Sequence, residues 1–586
     1  MTLELRLNKK KESVKTKILA MLVFVLVGLL RAEAAITTTS QNLDEFSFKK
    51  GFKANGGLSF SNTFYMGSDS LVNRDPYAMY LNGNLNINLW GISMPFSFSF
   101  SNTQKSYTQP FNRFKLDPRY KWVHLLLGSN SMNFSPYTLA GHMFNGVGVE
   151  LTPSNWNIAA MYGRFKKAIE YDPMIQNYNT VAYKRIGYAA KVGYTPDFGD
   201  YTVSFFHGED KENSIDYVPA ESFITPQKNT AVSVAVTQKF LKYFFVHGEY
   251  AFSLYNSNRF TETAGIVSDA GAFANARDDQ SPEKYTDAIN ASAGYQGDIW
   301  GLSLNFERVA PNYTTLGGYY FNNDFENFTV APNVKLFKGK LNLSGNFGLQ
   351  FNNLNGEMQS DTRRTVYSAN ASFSSGKAWN ASLGFSNFTT FTKVKPESYP
   401  YLTNALDSLN FYQVSKSING STSYSFGSEE ISDVVSLSGS YQTADMLNET
   451  EVTSFSDFYS GGLNFSQQYK KMMLGWSAFV NGSRCVSTYT ETSYFGPGLA
   501  LNKSFAEGKV STGLSCNYNW NKVPDRDSGS LMNTGLNASY SIDASKKKLG
   551  THTLSLSSGY TKYFGSMING DHKYEFLTTL TYSVGF

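Results

Sequence analysis

Long stretches of this chain alternate between apolar and polar residues over ten or more consecutive positions. In residues 510–520, the even positions hold Val, Thr, Leu, Cys, Tyr and Trp, and the odd positions hold Ser, Gly, Ser, Asn and Asn. The segments 341–352 and 532–542 alternate in the same way. This period of two predicts β-strands, because successive side chains of a strand face opposite sides. Strands of roughly ten residues are long enough to cross a bilayer at a tilt, whereas strands of soluble sandwiches are usually shorter.

The polar faces of these strands carry Asn, Ser, Thr and Gly. Charged residues make up only 17% of the chain and aromatic residues 16%, whereas soluble domains carry roughly 25% charged residues. The aromatic content argues against disorder. The one long apolar run, 18–30, is too little for a bundle of transmembrane helices. We therefore predict an all-β chain whose strands separate lipid from a solvated lumen.

The N-terminal residues have the organisation of a secretory signal peptide. A basic leader precedes the thirteen apolar residues 18–30, and Ala32, Glu33 and Ala34 then form an A-x-A cleavage pattern. A membrane anchor is the alternative, but thirteen apolar residues are too few to span a bilayer. We predict a signal peptide at 1–35.

Removal of this leader changes the meaning of the charge balance. Residues 1–35 hold 7 Lys/Arg and 3 Asp/Glu, a net charge of +4 that equals the net charge of the whole chain. The mature chain is then close to neutral and has no basic patch for nucleic acid. We expect a short periplasmic segment at 36–56 and a barrel at 57–586, with no N-terminal plug domain between them.

Short and long connections alternate along the predicted barrel. Links of a few residues, such as 152–155, alternate with longer polar links, such as 166–184 and 444–455. Short turns on one side and long loops on the other are typical of outer-membrane barrels. This rule, with a short strand at 110–116 that turns at 117–119, predicts a single transmembrane antiparallel up-and-down barrel of 26 strands. A barrel of 24 strands is the alternative.

The last strand carries a family resemblance. Residues 574–586 place Phe576, Thr578, Leu580, Tyr582, Val584 and Phe586 on one face and end on an aromatic residue. This strand resembles the C-terminal assembly strand of Gram-negative outer-membrane β-barrels. The resemblance implies an outer-membrane location, contact with outer-membrane lipid and lipopolysaccharide, and insertion by the barrel-assembly machinery. In such barrels the assembly signal includes the positions held here by Tyr582 and Phe586.

A second resemblance concerns residues 134–142 and 144–151, which are similar to a segment of plug-less, porin-like barrels without a known substrate. In general porins an early loop folds inward and narrows the pore, and residues 129–142 occupy a comparable place in this chain. The alternative is an ordinary surface loop with a proline turn. The candidate residues of an in-folded loop are Phe134, Pro136, Tyr137 and His142.

Several charged or titratable residues share the polar face of their strands. A charge on the lipid face costs about 2–4 kcal/mol at the bilayer midplane, which favours placing these residues in the lumen. Their signs are mixed, so we expect no strong ion selectivity, and solvated wall charges without a ligand are the simpler interpretation. The lumen-lining candidates are Glu150, Lys191, His247, Glu249 and Glu307.

The sequence offers little for catalysis or cofactor binding. It lacks the G-x-S-x-G motif, phosphate-binding loops, dinucleotide fingerprints and EF-hand patterns. Two Cys and six scattered His provide no zinc-ligand spacing. We therefore expect no enzymatic activity, no metal and no cofactor.

Two functions from different classes fit these features. One is a porin-like channel for the passive or semi-selective passage of small hydrophilic solutes. The other is a non-transporting barrel that anchors or binds a secreted or surface protein complex, in which case a surface or periplasmic protein is its partner. The second hypothesis depends on the apolar content of the predicted loop 253–284, which is unusual for a solvated loop.

Overall fold

The computed structural model describes residues 52–68, 75–89, 91–102, 112–171, 181–218, 224–260, 283–319, 322–356, 363–376, 378–387, 416–448, 451–488, 490–522, 529–543, 550–564 and 573–586. The predicted signal peptide at 1–35 and residues 261–282 of the predicted loop 253–284 lie outside this part of the chain. Within it, no helix is both long and apolar enough to cross a membrane.

The described residues form strands throughout, apart from connections and one 3-10 turn at Glu212–Ser214. The strand segments are β1 (Phe52–Gly67), β2 (Tyr77–Leu89), β3 (Ile92–Ser101), β4 (Arg113–Leu116), β5 (Arg119–Tyr120), β6 (Val123–Asn133), β7 (Ala140–Leu151), β8 (Trp156–Lys166), β9 (Lys184–Tyr194), β10 (Gly199–Lys211), β11 (Lys228–Phe240), β12 (Phe244–Asn256), β13 (Glu283–Gln296), β14 (Trp300–Val309), β15 (Phe325–Leu336), β16 (Leu341–Phe351), β17 (Arg363–Ser374), β18 (Trp379–Ser386), β19 (Lys416–Gly427), β20 (Ile431–Asn448), β21 (Glu451–Tyr469), β22 (Leu474–Ser487), β23 (Glu491–Phe505), β24 (Val510–Lys522), β25 (Gly529–Asp543), β26 (Thr551–Phe564) and β27 (Tyr574–Gly585).

The strands close into one antiparallel barrel. Each strand pairs with its neighbours in the sequence, and β27 pairs with β1, where Phe60 lies opposite Tyr582. The segments β4 and β5 both lie between β3 and β6, so they form one interrupted strand. The barrel therefore has 26 strands, which confirms the predicted fold class and strand number.

Several boundaries differ from the predictions. The turn predicted at 117–119 lies instead at 121–122. Pro118 has no N–H to donate to the neighbouring strand, so it interrupts the strand without ending it. The first strand begins at Phe52, within the segment predicted at 36–56. Its early outward positions hold Ala54 and Gly56, which are too small to mark an apolar face.

One predicted loop is wrong. Residues 444–455 are mostly strand, since β20 continues to Asn448 and β21 begins at Glu451. The pairing shifts register between Met446 and Leu447. Strand residues that extend beyond the membrane need no apolar outer face. The polar composition of 444–455 therefore resembles that of a loop although the segment is a hairpin.

The two faces of the barrel wall differ in chemistry. Large apolar side chains that are exposed occupy every second position, as Leu302 and Leu304 do on β14 and Val330 does on β15. The register places these residues beside one another across neighbouring strands. Since a closed antiparallel barrel leaves no edge, this continuous apolar face is the outer surface, and the alternate positions face the lumen.

Candidate functional site

Two connections at the long-loop end fold against the inner face of the wall. Loop A comprises residues 134–139, between β6 and β7, and loop B comprises residues 310–319, between β14 and β15. Leu139 of loop A and Leu316 of loop B belong to one buried cluster with Phe206 of β10. On β10, Val203 is exposed and lies on the opposite face from Phe206. Both loops therefore lie inside the barrel, over the inner face of β6–β14, which we call the covered wall.

Backbone and side-chain hydrogen bonds join the two loops. The Tyr313 hydroxyl donates to the carbonyl of Tyr137 at 2.7 Å, and Thr315 Oγ1 donates to the carbonyl of Thr138 at 2.6 Å. The N–H of Ala140, directly after loop A, donates to the carbonyl of Gly317 at 2.9 Å. Thr138 and Tyr313 are fully buried. The loops thus form one packed unit.

Gly317 is required by this close approach. A Cβ at this position would meet the carbonyl oxygen of Thr138 and lie 3.0 Å from the Cα of Leu139, both of them backbone atoms. We expect Gly317→Ala to cost about 1–3 kcal/mol, as overpacking does. The measurement is the temperature at which the folded barrel loses its compact mobility in a denaturing gel. Gly248→Ala is the matched control, because nothing lies within 4 Å of its Cβ position. Equal melting of the two variants would contradict the prediction.

Asn229 of β11 attaches loop B to the wall. Its Nδ2 atom donates to Ser253 Oγ at 2.6 Å and to the carbonyls of Leu254 and Thr314 at 3.2 Å each. Its Oδ1 atom accepts the N–H of Leu316 at 3.1 Å. The side chain is fully buried. One asparagine therefore satisfies backbone groups on both the wall and the loop.

Two wall carboxylates hold loop A. The Ser135 hydroxyl donates to Glu249, and the Tyr137 hydroxyl donates to Glu307 at 2.7 Å. Asn290 Nδ2 donates to the same Tyr137 oxygen at 3.4 Å. Burial raises the pKa of the Tyr137 phenol, and the nearby Glu307 raises it further. The phenol therefore stays protonated and remains a donor to the carboxylate.

The other predicted residues of loop A have distinct environments. Phe134 lies under Lys191, whose Nζ is 5.5 Å from the ring centre. Pro136 is exposed, so it faces the open part of the lumen. His142, just after loop A, is buried and stacks on Tyr319 at a ring distance of 4.2 Å.

Four predicted residues lie elsewhere. Glu150 pairs with His124 at 2.8 Å, and His247 with Thr237 at 2.8 Å, both towards the short-turn end. Tyr582 contacts His552 at 2.7 Å on the outer face of β27. The backbone N–H of Phe586 donates to the carbonyl of Gly56 at 2.9 Å, beside the β27–β1 seam. Thus Lys191, Glu249 and Glu307 belong with loop A, and the others do not.

None of the contributions of loop B could be anticipated from the sequence. Its central residues, Tyr313, Thr315, Leu316 and Gly317, lie outside every segment that the sequence singles out as a candidate site. The one available signal was composition, because the segment joins a tyrosine and a leucine to two successive glycines. Asn229 resembled every other polar residue on an inward face.

The rest of the lumen has a hydroxyl-rich lining with few charged residues. The inner faces of β16–β27 and β1–β3, which we call the open wall, are dominated by Ser, Thr, Asn and Gly. Hydroxyl groups pair across neighbouring strands here, at 2.6 Å for Ser440 with Ser460 and at 2.9 Å for Ser61 with Thr581. Inner residues such as Asn342 and Ser382 are exposed. In the part of the chain that the structure describes, no group of His, Cys, Asp and Glu could hold a metal ion.

No family model matches the chain, and no curated protein matches it. Among solved structures, the chain is similar to the translocation pore of the P pilus usher PapC, with 11% identity, coverage of 91% of this chain and 99% of that chain, and a TM-score of 0.34. It is similar to the siderophore receptor PirA from Pseudomonas aeruginosa, with 12% identity, 91% and 80% coverage and a TM-score of 0.39. It is also similar to OccAB4 from Acinetobacter baumannii, with 9% identity, 70% and 100% coverage and a TM-score of 0.27.

The fold itself defines the class of protein. A closed antiparallel barrel satisfies every backbone group between its strands, and an apolar outer face with a polar lumen suits it to lipid outside and water inside. The chain is a transmembrane β-barrel of the outer-membrane type.

Proposed function

We propose that this barrel is a channel for the passive or semi-selective passage of small hydrophilic solutes across the outer membrane. The observation that supports this function is the asymmetry of the lumen. Loops A and B cover the inner face of β6–β14, whereas polar side chains of the open wall, such as Asn380, Asn419 and Asn481, remain exposed. A barrel of this strand number encloses a wide lumen, and the two loops narrow it from one side.

The chemistry of the open wall favours neutral or weakly charged solutes. Hydroxyl and amide groups exchange hydrogen bonds with water at little cost, so they hold a solvated path without binding one ion type. The charged residues beside loop A are engaged there, as Glu249 is with Ser135 and Glu307 is with Tyr137. We therefore expect weak ion selectivity.

Recording from the purified barrel in planar bilayers tests the proposal. Discrete, reproducible conductance steps are the expected result, together with swelling of protein-containing liposomes in small neutral sugars. The folded state is verified beforehand by heat-modifiable gel mobility. A folded barrel that gives neither conductance nor swelling would contradict the proposal and leave the protein-anchoring function.

A further inference from the structure

Four consecutive short turns between β9 and β16 carry large apolar side chains in exposed positions. They are Phe198, Leu241, Ile299 and Phe337. Leu241 is 85% exposed, Phe337 70% and Ile299 64%, the three highest values for large apolar side chains in the described residues. Contiguous exposed apolar side chains of this kind mark a surface that another molecule covers.

At two of these turns the exposed apolar residue also has a backbone conformation that bulky side chains rarely adopt. Leu241 and Phe337 have φ values of 49° and 53°, in the left-handed region that disfavours bulky side chains. The turn geometry does not call for an apolar residue. Residues 506–509 form the same kind of turn as 337–340, with Ala506 at φ 50° and the same two backbone hydrogen bonds across it.

The apolar turns continue the lipid-facing surface of the barrel. On β14, β15 and β16 the outward positions are apolar up to the turn, ending in Trp300, Leu336 and Leu341. On β20, β21 and β23 a polar or charged residue interrupts the outward apolar face one position before its last residue, which is Ile431, Tyr469 or Phe505. Asp433 and Gln467 lie opposite each other there, joined by a 2.8 Å hydrogen bond, and Lys503 follows Leu501 on the same face.

We propose that the phospholipid leaflet at the short-turn end covers the turns of β9–β16, so that the barrel sits obliquely in the membrane. Lys242 and Lys338 directly follow the apolar residues Leu241 and Phe337, as suits an interfacial surface that inserts apolar groups and offers cations to lipid phosphates. The turns between β19 and β20 and between β23 and β24, which hold Glu429, Glu430 and Glu507, lie in water on the opposite side. The β21–β22 turn between them carries the exposed Met472 and Met473 and is the exception on that side. This inference depends on the transmembrane placement of the barrel and is independent of solute passage.

Fluorescence quenching at matched positions tests the inference. In a chain carrying C485A and C516A, the single cysteines of L241C, F337C and A506C are labelled with an environment-sensitive fluorophore. The proteins are placed in vesicles of phosphatidylethanolamine and phosphatidylglycerol that contain brominated acyl chains. The labels at 241 and 337 should be quenched several-fold more by the brominated lipid than the label at 506. Aqueous iodide should quench in the reverse order.

A second measurement guards against a label that inserts by itself. With the label at I299C, adding Leu241→Asn and Phe337→Asn should increase quenching by iodide, because two of the apolar anchors are lost. Asparagine tolerates positive φ, so the turns should still form. Equal iodide access at 337 and 506 in the vesicles, or no change at 299, overturns the inference. Protection of 337 only after a periplasmic protein is added would also overturn it and assign the surface to that protein.

Discussion

Replacing residues 311–323 with Asn-Gly should raise the single-channel conductance on the order of two-fold or more, because the open cross-section of the lumen increases. The replacement is compatible with the hairpin. Val309 already pairs with Phe325, and the N–H of Asp324 donates to the carbonyl of Ala310 at 3.4 Å. A two-residue Asn-Gly turn closes an antiparallel hairpin at such a point. The change removes loop B and the partner surface of loop A.

The control for this deletion keeps loop B in place. Asn312 is exposed and has a φ of 62°, so Asn312→Gly should leave the docked loop and the conductance unchanged. Planar-bilayer recording at fixed salt compares the two variants with the natural chain. If removal of loop B leaves the conductance at the natural value, the loop does not limit the pore.

The architecture of this barrel could be predicted because its determinants are local. A strand between lipid and water must alternate, and the alternation is visible in any ten residues of the sequence. The alternation of apolar and polar residues was hard to recognise in two places. Ala54 and Gly56 hid the start of β1, and the polar hairpin that reaches Asn448 and Glu451 was read as a loop.

The site could be predicted only as far as the alternation of inward and outward residues along each strand allows. The alternation places Glu249 and Glu307 on the inner faces of their strands, and the resemblance to porins makes Tyr137 a candidate residue of an in-folded loop. The contacts between the two loops were beyond this reasoning, since Tyr313 and Tyr137 are 176 residues apart and meet through a backbone carbonyl. Backbone acceptors are present at every residue, so such contacts leave no mark on the sequence.

Asn229→Ala should release loop B from the covered wall while the barrel stays closed. The substitution removes the acceptor of the buried Leu316 N–H, whereas the carbonyl of Thr314 keeps the Ser253 hydroxyl as a donor at 2.6 Å. A buried group left without a partner costs about 1–3 kcal/mol, so we expect docking of the loop to weaken by about that amount. The strand ladder of β11 is untouched, because its backbone pairing does not involve this side chain.

Hydrogen exchange of the backbone amides separates this local effect from global unfolding. Amides of residues 313–317 should exchange much faster in the Asn229→Ala variant, and amides of β11 and β12 should keep their protection. The same variant should show additional current fluctuations in bilayer recordings, since loop B then moves within the lumen. Asn481→Ala is the matched control, because Asn481 is an exposed asparagine of the open wall. Unchanged exchange at 313–317 in the Asn229→Ala variant would mean that packing of Leu316 and Tyr313, rather than the asparagine, holds the loop in place.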